Sequence, residues 1–137
     1  MKINYLPILM IFFLEMGCQT RFVKPNLDLL PGYWRIDFIT QKNETFRPKG
    51  MTKLLDYYAL EKNNGVRRKV KPLINNNFQI TNDQNPFKIV YDGKDYSIQF
   101  ETQWDQWSEK IIKLDKSVLV LEHQEKRYHY VRFIKNF

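Results

Sequence analysis

Apolar and polar residues alternate along most of the chain beyond residue 26. Residues 96–104 are the clearest case: Tyr96, Ile98, Phe100, Thr102 and Trp104 point one way, and Ser97, Gln99, Glu101 and Gln103 the other. A period of two, with one apolar and one wet face, belongs to a strand of an antiparallel sheet. The same grammar predicts strands over residues 33–40, 54–61, 66–71, 78–81, 87–91, 110–114, 118–123 and 127–134. In the first of these Trp34, Ile36 and Phe38 share one side, opposite Arg35 and Asp37. Asp92-Gly93 supplies a hairpin turn, Asn63-Asn64-Gly65 another, and residues 115–117 and 124–126 make short polar connections. No helical spacing competes after Cys18. Eight or nine short strands at near-regular intervals predict an all-β fold. An antiparallel up-and-down barrel hides its edges by closure, and a two-sheet sandwich is the alternative.

The start of the chain is different. Lys2 is followed by an uninterrupted apolar run over residues 6–14, which ends at Glu15. A membrane-spanning helix needs about 20 apolar residues, so the run is too short to span. A charged start, a short apolar middle and a small residue, Gly17, before Cys18 read as a secretory signal. The segment resembles the lipobox of bacterial lipoproteins, although Glu15 stands where leucine is usual. That resemblance implies cleavage before Cys18 and acylation of its thiol. The expected organisation is a lipoprotein signal peptide over residues 1–17, a tether over 18–26 and a barrel domain over 27–137. Its first partner is then a lipid bilayer, reached through acylated Cys18, and its expected place is the outer membrane, facing the periplasm. Acyl chains hold firmly, since each buried CH₂ is worth about 0.8 kcal/mol.

Composition narrows the classes. The 137 residues are 43% hydrophobic and 15% aromatic, enough to build a core and too apolar for a disordered chain. A single cysteine excludes an internal disulfide framework and multi-cysteine metal sites. The net charge is +7, and removing residues 1–17 takes away one charge of each sign, Lys2 and Glu15. In an exported lipoprotein that surplus points to anionic lipid headgroups or acidic glycans and not to nucleic acid, with a solvated basic surface as the plainer reading.

Leu30-Pro31-Gly32-Tyr33-Trp34 opens the first strand, and Tyr128-His129-Tyr130-Val131-Arg132-Phe133 lies in the last. This pair is similar to the lipocalin and wider calycin pattern, and the whole chain resembles small bacterial lipocalin-like lipoproteins. The resemblance implies that Gly32 permits a tight approach, that Trp34 plugs the barrel floor and that Arg132 lies across the indole. It also implies a helical turn over residues 26–31 and a lid loop over residues 41–51. Two features depart from the family. Its Thr-Asp-Tyr motif is absent, with Leu114-Asp115-Lys116 nearby and not matching it, and the family's C-terminal helix is not expected after Ile134.

The candidate chemistry is that of binding. Phe38, Tyr58, Phe100, Trp104, Trp107 and Tyr130 are candidates to line a cavity, or simply to fill the barrel. Trp104 and Trp107 also have the spacing of a sugar-stacking rim. Arg67, Arg68, Lys69 and Lys71 form a candidate anion patch, with aggregation-resistant edge lysines as the plainer reading. Val66 and Val70 are apolar, which makes Arg68, of their parity, the odd member. His123 and His129 lack a third ligand, so no metal is expected. No serine sits in a glycine-flanked elbow and no glycine-rich phosphate loop is present, so no enzyme activity and no cofactor are expected. The expected function is non-catalytic binding of a small apolar or amphipathic ligand at the cell envelope. The alternative is a filled barrel acting as a structural subunit with an envelope protein partner.

Overall fold

The computed structural model describes residues 23–49 and 54–135. The signal segment, Cys18, the first part of the tether and the end of the 41–51 connection lie outside the described residues. A 3-10 turn, Leu27–Leu29, precedes nine strands: β1 Gly32–Gln41, β2 Glu44–Phe46, β3 Leu55–Glu61, β4 Asn64–Pro72, β5 Phe78–Tyr91, β6 Tyr96–Glu101, β7 Gln106–Leu114, β8 Val118–His123 and β9 Lys126–Phe133. From β3 to β9 each strand pairs with the next in antiparallel fashion. β9 then pairs with β1 from Phe133↔Tyr33 to Lys126↔Gln41, and β1 pairs with β3. The result is a closed eight-stranded antiparallel barrel, with β2 as an added strand. β2 and β3 share one edge of β1: β3 takes Gly32 to Trp34, and β2 takes Ile39 to Gln41. The connection expected to form a lid therefore contains a strand.

The inner rows carry the core. Leu30, Trp34, Tyr58, Ile98, Phe100, Leu119 and Leu121 are fully buried, with Phe87, Ile89, Ile111 and Tyr130 nearly so. Gly65 explains one close approach. A Cβ there would come within 2.4 Å of the Phe87 ring and 2.3 Å of the Ala59 carbonyl, so only glycine lets the ring lie across β4. Asn64 and Gly65 thus open a strand and are not the predicted turn. The turn is Lys62-Asn63, with Lys62 at φ 55°.

Other boundaries moved for local reasons. β6 stops at Glu101 because the Thr102 hydroxyl accepts from the N–H groups of Trp104 (3.3 Å) and Asp105 (3.0 Å), which turns the chain. The predicted strands at 78–81 and 87–91 are one strand. It continues through a register shift opposite Lys69, where the Thr81 hydroxyl donates to the Lys69 carbonyl at 2.8 Å. The last hairpin turns on Gln124 and Glu125 alone, both at positive φ, and Lys126 pairs with His123. Asp92 organises its hairpin by accepting from Lys94 N (2.8 Å) and Asp95 N (2.7 Å), and Gly93 sits at φ +95°. Those backbone bonds hold the Asp92 carboxyl below its ordinary value.

Gly65→Ala should destabilise the barrel by about 1–3 kcal/mol through overpacking. Gly93→Ala, which has open space and only an unfavourable φ, should lose no more than about 1–2 kcal/mol. Urea unfolding followed by far-UV circular dichroism gives both values. Equal, negligible effects would contradict the Phe87 packing.

Candidate functional site

One end of the barrel is locked by a single side chain. Arg132 of β9 pairs with Trp34 of β1, and its guanidinium carbon lies 4.1 Å above the indole. Nε donates to Lys116 O (2.6 Å), Nη1 to Pro31 O (3.0 Å) and Nη2 to Leu29 O. Arg132 therefore ties the 3-10 turn, the β7–β8 turn and β9 together over one ring. The indole N–H donates to Leu30 O at 2.9 Å, and Asn26 caps the turn through Asp28 N. Gly32, at φ +125°, is where a Cβ would lie 2.7 Å from Arg132 Nη1. Strain and contact both exclude a side chain there. Burial draws the Arg132 guanidinium below its ordinary value.

Above this floor the lumen is charged. The pairings Trp34↔Asp56↔Lys69 and Tyr58↔Arg67 place Asp56, Tyr58, Arg67 and Lys69 on the inner face. Glu109 joins them, opposite the fully buried Ile98. Arg67 Nη1 donates to Glu109 Oε1 (3.0 Å) and Oε2 (3.1 Å) and, at 3.4 Å, to the Tyr58 hydroxyl. Both partners are nearly buried, with side chains 12% and 13% exposed. The Trp107 indole N–H donates to Glu109 Oε1 at 3.2 Å. Lys69, whose side chain is 37% exposed, places Nζ 2.5 Å from Oδ1 of the buried Asp56. Arg67 Cζ is 4.1 Å over Phe100, whose ring stacks on Trp107 at 4.9 Å between centroids.

Burial drives the electrostatics of this cluster. The Tyr58 hydroxyl is pushed far above its ordinary value, first by desolvation and then against the opposing pull of Arg67. Tyr130 is raised for the same first reason, helped by Tyr58, Asp56 and Glu109. For Arg67, desolvation favours the neutral form, but Tyr58, Glu109 and Asp56 outweigh it and the net shift is upward. The guanidinium stays charged. Its Nε is buried with no hydrogen-bond partner among the described residues.

The candidate residues fall into distinct places. Tyr58, Phe100 and Tyr130 are buried on the inner wall, and Trp107 is half-buried beside them. Phe38 is outside. The register shifts between Ile36↔Tyr130 and Phe38↔His129, so an extra residue reverses the parity of β1. Phe38 instead stacks on His129 at 4.1 Å, beneath Arg47. Trp104 is 88% exposed in the β6–β7 turn, so it lines nothing and forms no platform with the inward Trp107. The proposed anion patch is divided. Arg67 and Lys69 face inward and are paired, Arg68 shares the outer face with Val70, and Lys71 is exposed. Cys18 lies outside the described residues.

The histidines serve separate neighbours. His123 Nδ1 meets Ser108 O at 2.9 Å, and His129 Nε2 meets the Thr40 hydroxyl at 3.1 Å. Among the described residues no cluster of His, Cys, Asp or Glu could hold a metal ion. A cleft of about 950 Å³ is lined by residues 23–26, the β5–β6 turn and β7. Lys110 and Lys113 on its wall are paired with Asp95 (3.2 Å) and Asp115 (3.7 Å).

The chain matches no protein-family model and no curated protein. Among solved structures it is similar to a lipocalin-like protein from Bacteroides uniformis, with a TM-score of 0.46 and 14% identity over 77% of this chain and 99% of that one. A protein from Bacteroides eggerthii gives 0.48 and 8% over 76% and 99%. Apocrustacyanin C1 gives 0.46 and 13% over 79% and 63%. The chain's own strand pairing gives a closed eight-stranded antiparallel meander.

Arg132→Ala should destabilise the protein by about 2–4 kcal/mol, from lost charge-assisted hydrogen bonds and the cation–π contact. Arg132→Lys should recover less than half of this, because an ammonium does not reproduce the planar fork. Arg35→Ala, on the exposed side of β1, should stay within about 0.5 kcal/mol. Chemical denaturation of the three variants checks the ranking, and equal effects for the two alanine variants would remove Arg132 from its role as the lock.

Proposed function

We propose that the protein is a non-catalytic barrel that binds a small amphipathic molecule in its lumen, and that acylated Cys18 holds it at the bacterial cell envelope. One observation carries the binding half. The inner wall keeps an ion pair, Arg67–Glu109, against the stacked Phe100 and Trp107, where aliphatic residues would fill space as stably. A buried pair of this kind is weak support for stability and good support for recognition: it supplies a polar anchor inside an apolar wall. Ligand surface buried against those rings contributes about 25 cal/mol per Å². The envelope half is supported by the position of Cys18 directly after an apolar run and Gly17, and by a tether of few residues before the barrel.

The test uses the full chain purified from membranes and carrying Trp104→Phe, which removes the exposed indole. Its intact mass should show acyl groups on Cys18. Its tryptophan emission should change saturably as lipid extracts or medium-chain fatty esters are added, because Trp107 lies at the wall. An unmodified thiol would overturn the anchoring. Unchanged emission together with no co-purifying lipid would overturn the binding.

A further inference from the structure

Two polar atoms of the inner wall lack a hydrogen-bond partner among the described residues: Asp56 Oδ1, which ion-pairs with Lys69, and Arg67 Nε. Among the described residues, the side-chain hydrogen bonds of Arg67 run from Nη1, to Glu109 and Tyr58. Nε is buried and unpartnered among the described residues. An orphaned buried donor is destabilising unless a water or a ligand oxygen meets it. Arg68 Nε is also unpartnered, but on the outer face, away from the aromatic wall. The Arg67 donor is the one placed against Phe100, beside Trp107.

Charge decides what can meet it. Arg67 and Lys69 are matched inside the barrel by Glu109 and Asp56. A ligand carboxylate or phosphate would add a fifth charge with no counterion of its own, in a site where uncompensated charge is strongly disfavoured. An uncharged oxygen takes the Nε hydrogen bond without disturbing either pair. We infer that Arg67 Nε is the anchor for an uncharged hydrogen-bond acceptor, such as an ester, ketone or amide carbonyl, on an otherwise apolar ligand. The barrel thereby selects neutral lipids and neutral apolar carbonyl compounds over free fatty acids. This inference rests on the lumen being a binding site and specifies its ligand class.

The experiment compares methyl decanoate, decanoate and undecane as probes of the full chain carrying Trp104→Phe, at pH 8, by tryptophan emission. The ester should bind at least about tenfold more tightly than either other probe, the size expected of one hydrogen bond to a charged donor. Arg67→Lys keeps a cation beside Glu109 but removes Nε–H. It should lower the preference for the ester over undecane about tenfold. Decanoate binding as well as or better than the ester would overturn the inference while leaving a binding barrel. An ester preference that survives in folded Arg67→Lys would also overturn it. Should Arg67→Lys fail to fold, the ester-to-decanoate ratio of the Arg67 chain decides alone. Binding of none of the probes would sink the binding function itself, and the inference with it.

Discussion

The contact between Arg67 and Glu109 constrains the rest of the molecule. Arg67 is on β4 and Glu109 on β7, three strand steps apart along the sheet. In a flat sheet that distance is about 14 Å, since neighbouring strands lie about 4.8 Å apart. Their 3.0 Å contact requires the sheet to curl, so that the side chains meet across a lumen. Closure in turn takes water away from both groups, and either one left alone inside would cost about 3–5 kcal/mol. Shape and charge pairing are therefore one requirement. The same desolvation drives up the Tyr58 hydroxyl, while Tyr58, Glu109 and Asp56 keep the guanidinium charged against it.

The floor and the lumen divide the work. Arg132 uses all three of its nitrogens on carbonyls of the turns below Trp34, which closes one end and commits every nitrogen to the fold. Arg67 uses one nitrogen, and keeps another inside the barrel without a partner. Two arginines lie over aromatic rings at nearly the same height, 4.1 Å in each case. The bonds each guanidinium has already made separate a structural bolt from a recognition group.

Much of this was legible in the sequence. The strand at 118–123, the Asp92-Gly93 hairpin and the inward set Tyr58, Phe100 and Tyr130 follow from period-two alternation and turn chemistry. The placement of the β4 cations was not legible because apolar residues mark the inner face only where one face is covered. The outer face has its own apolar cluster. Leu55 and Val70 are buried there, and Tyr33 stacks on Phe78 at 4.2 Å and meets Tyr57 at 4.7 Å. Val66 and Val70 therefore mark the outside with Arg68, and Arg67 and Lys69 turn inward. A signal did exist, because Glu109 falls in step with Trp107 and Ile111, which puts a carboxylate on the inner row and demands a cation across from it. The reversal at Phe38 had no such signal. An extra residue in a strand leaves the composition unchanged, and only the β9 register exposes it.

The most direct measurement is a double-mutant cycle on Arg67→Met and Glu109→Gln, with unfolding free energies read from urea titrations of the full chain. A pair buried in a closed lumen predicts a coupling of about 2 kcal/mol or more, with each single change more damaging than the double change would imply by addition. A coupling near zero would mean that the two side chains do not meet. The inward charge network, and the binding site built on it, would then be wrong.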